Sequence, residues 1–185
     1  MRMFFPILVV CLALSGTISA QSAYPFRSQE YIGMHNGESG AALFLQTING
    51  VQHKDWFLGL GAGLDYYRLR SIPLFLSVSR FITPAQRSFF ISADGGVNFM
   101  WPQTDKTIFY DSRWKPGLYA AGSLGYKIGL KDKSDAFLVS IGYSAKYLKE
   151  KRETPTICFN PPCAPTVETY NYGLNRLSIR LGWQF

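Results

Sequence analysis

From Trp56 onwards the chain alternates between unlike faces with a period of two. Trp56, Leu58, Leu60, Ala62, Leu64 and Tyr66 fall on one side, and Phe57, Gly59, Gly61, Gly63, Asp65 and Tyr67 on the other. That period belongs to a β-strand. It recurs over 72–81, 89–101, 117–130, 136–147 and 169–185, each stretch pairing an apolar side with one of glycine, serine and isolated charges. Two earlier stretches read less clearly. Residues 31–36 form a short strand ended by the turn signal Asn36–Gly37. Residues 41–52 alternate poorly, and Asn49–Gly50 predicts either a bulge or a hairpin turn that would change the strand count. Near Asn175 the phase slips: Tyr170, Tyr172 and Leu174 are out of step with Leu177, which predicts a bulge or a passage above a bilayer.

The sum is eight strands and no stretch of helical period. An even count suits a closed single-chain barrel. The links beginning at His53, Thr83 and Lys131 are short and fall on one end; the two long ones, 102–114 and 148–168, fall on the other. The last strand ends on Leu181, Trp183 and Phe185, with an apolar side no soluble edge strand would leave uncovered. In a closed barrel both its edges are paired and that side meets lipid. The expected fold is therefore all-β, an eight-stranded antiparallel transmembrane up-and-down β-barrel. The competing reading is a secreted lipocalin-like barrel with its apolar faces turned inward around a ligand. The direction of the Trp56–Tyr66 face separates the two.

Composition adds location. Residues 1–20 read as a signal peptide, with Arg2, an apolar core and a small-residue exit at Ala20, leaving 21–185 as one barrel domain. The core is too short for a membrane-spanning helix. The full chain carries a net charge of +7; its Lys and Arg are scattered over turns and polar strand faces. That pattern speaks for solvated turns and lipopolysaccharide head groups and against nucleic acid. Aromatic residues make up 16% of the chain, as barrels with ring-bearing interfaces require. Beyond the leader two cysteines remain, Cys158 and Cys163, flanking a Pro-Pro pair, and an exported protein favours a disulfide between them. Metal ligation would need further ligands, and His35 and His53 lie far off in sequence; no metal or cofactor is expected.

The second faces collect Asp65, Asp94, Lys127, Lys146, Arg176 and Arg180. Buried charges must pair, so these predict a salt-bridged lumen, or alternatively a narrow channel. Gly59, Gly61 and Gly63 superficially suggest a phosphate loop, but a phosphate cradle leads into a helix N-terminus. Here they mark a crowded interior face. His35 with Glu38 and Ser39 is the one set that an acyl-transfer site on lipid A would use. Both histidines read more simply as exposed turn residues.

The stretches 47–50, 57–67 and 72–76, with 138–143 and 177–182, resemble the small outer-membrane β-barrel proteins of Bacteroidota-type bacteria, similar in outline to outer-membrane protein X. The resemblance covers nearly the whole mature chain. It implies an outer-membrane location, the barrel fold and no assigned reaction or catalytic residue. It also implies that Leu181, Trp183 and Phe185 form the signal read by the barrel assembly machinery. The expected protein is a monomer with a structural or surface-interaction role, presenting loops 102–114 and 148–168 to extracellular ligands.

Overall fold

A computed structural model describes residues 25–83, 85–101, 104–106, 110–130, 135–155 and 164–185. The expected leader and both cysteines, Cys158 and Cys163, lie outside these residues. The strands are β1 (Phe26–Gly37), β2 (Gly40–His53), β3 (Trp56–Asp65), β4 (Ser71–Phe81), β5 (Arg87–Met100), β6 (Thr104–Lys106), β7 (Asp111–Lys115), β8 (Gly117–Gly129), β9 (Ala136–Thr154) and β10 (Thr166–Gln184). Eight of them, β1–β5 and β8–β10, pair antiparallel in sequence order, and β10 closes on β1. The short β6 and β7 stand above the barrel as a hairpin that continues onto the upper part of β9.

Register fixes the shape. Passing from Phe26 through its hydrogen-bonded partners Val51, Leu58, Val78, Ala93, Gly122, Tyr143 and Leu177 returns to β1 at Asn36, ten residues beyond the start. A stagger of ten over eight strands tilts them by about 40° to the barrel axis and leaves an interior that side chains fill.

The Trp56–Tyr66 face points out. Trp56 is 50% exposed and Leu60 68%, as are their counterparts Phe137, Val139, Ile141, Tyr143 and Tyr147 around the wall. The lipocalin-like alternative requires these side chains inside, so it fails. Exposed rings gather near both rims: Phe26, Trp56, Phe89 and Phe185 at the end that holds both termini, and Tyr66, Trp101 and Tyr147 at the other. An apolar outer wall between two aromatic girdles is the surface a bilayer requires. Inside, Ile48, Phe57, Phe75, Phe81, Phe90 and Leu138 pack with Tyr31 and Tyr119, while Tyr67, Met100, Leu148 and Leu174 form a second cluster towards the loop end.

The interior glycines make room for rings on the neighbouring strand. Gly61 lies directly across from Phe75, and a Cβ there would come within 2.4 Å of the ring. Gly182 stands in the same relation to Tyr31. A missing side chain on one strand lets the aromatic ring of the next lie flat against the wall.

Three local expectations are corrected. Asn49–Gly50 is neither bulge nor turn, because β2 keeps one register with β1 and with β3 throughout. Gly50 is there for closeness: a Cβ would sit 2.1 Å from the carbonyl oxygen of Leu58. The first turn comes later than Asn36–Gly37, with Gly37 paired to Gly40 and the positive φ (91°) at Gly40. Finally, β9 and β10 pair without interruption from Ala136–Gln184 up to Thr154–Thr166. The slip near Asn175 is thus no bulge. Leu174 turns into the upper cluster, and above the apolar band the inside of the hairpin becomes the face that needs burying. Much of the 148–168 stretch is accordingly strand.

Candidate functional site

The barrel interior holds two charged centres. In the upper one Asp65, at the end of β3, accepts from Lys146 Nζ on β9 at 3.1 Å and from Arg176 Nη1 on β10. All three are buried. The ammonium also donates to Ser71 Oγ at 2.9 Å and to the carbonyls of Tyr67 and Leu69 at 3.3 Å, so one lysine holds the β3–β4 loop over the lumen. Arg176 faces the Tyr67 ring at 5.3 Å.

The lower centre is Arg180. Its guanidinium donates to Asp94 Oδ2 at 3.3 Å, Gln46 Oε1 at 3.4 Å, Ser140 Oγ and Ser92 Oγ at 2.8 Å, and Ser123 Oγ, and it stacks 4.9 Å from the Tyr31 ring. Asp94 also accepts from Ser77 Oγ at 2.6 Å. Arg180 thereby ties β10 to β1, β2, β5, β8 and β9 across the barrel. The cavity left beside it, lined by His35, Gln46, Tyr119, Ser123 and Ser144, measures about 10 Å³, roughly the space of one water-sized probe. At this height the lumen is filled by its own side chains.

Lys127 joins neither centre; its Nζ lies 4.9 Å from the centroid of the Phe81 ring. His35 corrects the reading of an exposed turn residue. It is a buried lumenal side chain stacked on Phe44, with ring centroids 4.0 Å apart, because its odd position in β1 faces inward. Glu38 and Ser39 are exposed in the turn beyond, so the acyl-transfer set is not assembled. His53 is exposed at the opposite end. Leu181, Trp183 and Phe185 are exposed on the outer wall, Trp183 edge-on to Phe137 at 4.6 Å.

A site the sequence did not show lies at the loop end. Beyond the bilayer-facing band, β7, β9 and β10 and the β3–β4 loop enclose a cavity of about 230 Å³ lined by Arg68, Leu69, Tyr110, Ser112, Trp114, Glu150, Arg152 and Tyr172. Trp114 and Tyr172 pack with centroids 5.6 Å apart, Arg68 lies over Tyr172 at 5.3 Å and Arg152 over Tyr110 at 4.7 Å. Glu150 is the hub. It accepts from Ser112 Oγ, from Tyr172 O–H at 2.8 Å and from Arg152 at 3.0 Å. Burial would raise its pKa, but those three donors outweigh burial and hold the carboxyl below its ordinary range. Tyr172 is pushed up, by burial and by its bond to Glu150. Rings flanked by fixed charges and hydrogen-bonding groups are the furniture of a small recognition pocket.

No family model and no curated protein sequence matches the chain. Solved structures do. The N-terminal β-barrel domain of Pseudomonas aeruginosa OprF superposes with a TM-score of 0.53 at 12% identity, over 86% of this chain and 96% of that one. Neisserial surface protein A gives 0.54 at 10% identity, over 88% and 96%, and the outer membrane protein OprG from Pseudomonas aeruginosa 0.53 at 11%, over 86% and 95%. The fold is that of small outer-membrane barrels. At this identity the likeness lies in architecture alone: near-complete coverage of each barrel with few shared residues.

Proposed function

We propose that this chain is a small outer-membrane barrel whose packed lumen serves as scaffold and whose extracellular end is a surface-recognition site. The observation that carries the reading is the cavity where Ser112 and Trp114, from one long connection, meet Glu150 and Arg152, from the other, beside Tyr172 of β10. A barrel that only filled the membrane has no need to extend β9 and β10 past the bilayer and buttress them with a second hairpin. In this orientation both termini and the turns after β2, β4 and β8 face the periplasm. Leu181, Trp183 and Phe185 stand ready for the assembly machinery, and Cys158 with Cys163 would staple the tip of the longest loop. The filled lumen supports a non-conducting barrel, and the separation of His35 from Glu38 and Ser39 supports a non-enzymatic one.

The test uses the purified full-length barrel and cells displaying it, probed against glycan and extracellular-matrix arrays. Binding should fall at least tenfold in Trp114→Ala and Arg152→Ala and in a chain lacking residues 154–165, with the barrel still folded. Unchanged binding in all three variants refutes the recognition role. Discrete conductance in planar bilayers would refute the packed scaffold.

A further inference from the structure

Among the described residues the outer wall carries one polar patch where the bilayer should see only hydrocarbon. Glu30 on β1 points outward and is exposed, between the outward Phe26 below and Ile32 and Met34 above. It lies four residues above Phe26. At about 3.3 Å per residue and a tilt near 40°, that places the carboxylate about 10 Å inside the lower aromatic girdle. Around it, Thr47 Oγ1 donates to Glu30 Oε1 at 2.7 Å and Ser28 Oγ donates to Asn49 Oδ1 at 2.8 Å; Asn49 Nδ2 donates to Thr47 Oγ1 at 3.2 Å. Among the described residues no cation pairs with Glu30, and Oε2 receives no hydrogen bond. An ionisable side chain facing lipid at this depth is unfavourable unless something satisfies it, and such residues mark functional sites.

We infer that this patch is the contact between two copies of the chain. Copies inserted in one membrane share an orientation, so a two-fold axis along the membrane normal brings together only residues at equal height. The patch meets that condition with both halves of a hydrogen-bonding set. Glu30 is directly cross-strand from Thr47, and Ser28 from Asn49; at a tilt near 40° the drop from Glu30 to Ser28 and the rise across to Asn49 nearly cancel, which leaves acceptor and donor within about 2 Å of one level. Glu30 Oε2 is open to accept, and an Asn49 amide has a second N–H to give. Across the axis, each Glu30 accepts from the other copy's Asn49, twice over. The neighbouring wall is shaped for it: Ala62 stands directly beside Thr47, and a shallow groove of about 470 Å³ runs past Thr47, Asn49, Leu60 and Leu74. Small residues that allow close approach, together with polar side chains as adhesive, are what membrane-embedded contacts use. This departs from the monomer that the sequence suggests, and it stands independently of the recognition site at the other end of the molecule.

The experiment is oxidative cross-linking of the full-length chain in native outer membranes. Thr47→Cys is placed in a background with Cys158→Ser and Cys163→Ser, beside an Ala93→Cys control on the outward face of β5. Thr47→Cys should give a product of twice the chain's mass at least fivefold above Ala93→Cys. Adding Glu30→Leu should cut it at least fivefold, while Glu30→Gln, which keeps an acceptor, should retain most of it. Equal cross-linking at the two positions overturns the proposal. So does a monomer throughout, or an adduct of any other mass, which would mean a different protein covers the patch. Thr47→Cys reports from the barrel with Glu30 intact, so the result does not depend on Glu30→Leu folding.

Discussion

Asp65 is outnumbered: one carboxylate serves two buried cations, Lys146 and Arg176. That imbalance makes its two kinds of loss unequal. Asp65→Asn preserves the shape but strands both cations in a dry interior. Removing one member of a buried pair costs about 3–5 kcal/mol, and two abandoned charges put this variant at the top of that range. Lys146→Met does the reverse. It leaves a one-to-one pair between Asp65 and Arg176 and forfeits the hydrogen bonds to Ser71, Tyr67 and Leu69, a cost of about 1–2 kcal/mol. The double variant leaves one unpaired cation where Asp65→Asn leaves two, so it should be more stable than Asp65→Asn alone, with a coupling of about 1–3 kcal/mol. Urea unfolding of the barrel in lipid vesicles measures all four chains, read by tryptophan fluorescence and by the gel shift between folded and heat-denatured forms. The reasoning is refuted if Lys146→Met costs as much as Asp65→Asn, or if Asp65→Asn costs less than about 1 kcal/mol.

Gly61→Ala, whose Cβ would press to 2.4 Å from the Phe75 ring, should destabilise the same transition by about 1–3 kcal/mol, and adding Phe75→Leu should restore most of the loss. Glu150 has a folded pKa below its ordinary 4.5, so it contributes stability that is present above that value and lost as pH falls through the folded one. Proteolysis of the hairpins at the loop end should therefore be flat from pH 8 to 5 and accelerate only as the pH falls below 4.5, and Glu150→Gln should lose the pH dependence. Deleting Phe185 should sharply reduce folded barrel in the outer membrane while refolding from urea into vesicles proceeds; equal membrane levels would show that the terminal ring is not the assembly signal.

The barrel was legible in the sequence wherever lipid met one face and side chains filled the other, because that contrast is what a period of two records. It was illegible where the contrast lapses. The alternation starts β1 at Tyr31 rather than Phe26 because Ser28 and Glu30 put polar groups on the lipid side. The top of β9, from Leu148 to Thr154, and the first three residues of β10 read as loop, because both of their faces can be polar above the bilayer. Gly50 looked like a turn residue, since a composition signal cannot tell a bend from a place where two backbones must touch. The cavity at the loop end had no local signature at all. Its walls come from around residues 68, 112, 150 and 172, and they meet only because β7 pairs with β9. Nor did spacing reveal that Asp65 answers to two cations, since that depends on the ten-residue stagger of the closed wall.

The seam between β1 and β10 also sets an order of events. Arg176 and Arg180 both ride on the final strand, and their acidic partners wait on β3 and β5. A chain synthesised from its N-terminus has neither pair until its last residues are made and seated. Asp94 then loses its cation, and Asp65 one of its two, in any barrel that stops short, slips by a residue, or closes on the wrong edge, since a one-residue slip turns both arginines outward into lipid. Ion pairing thus works as a proofreading step on closure: the correctly registered barrel is the one whose interior charge is settled.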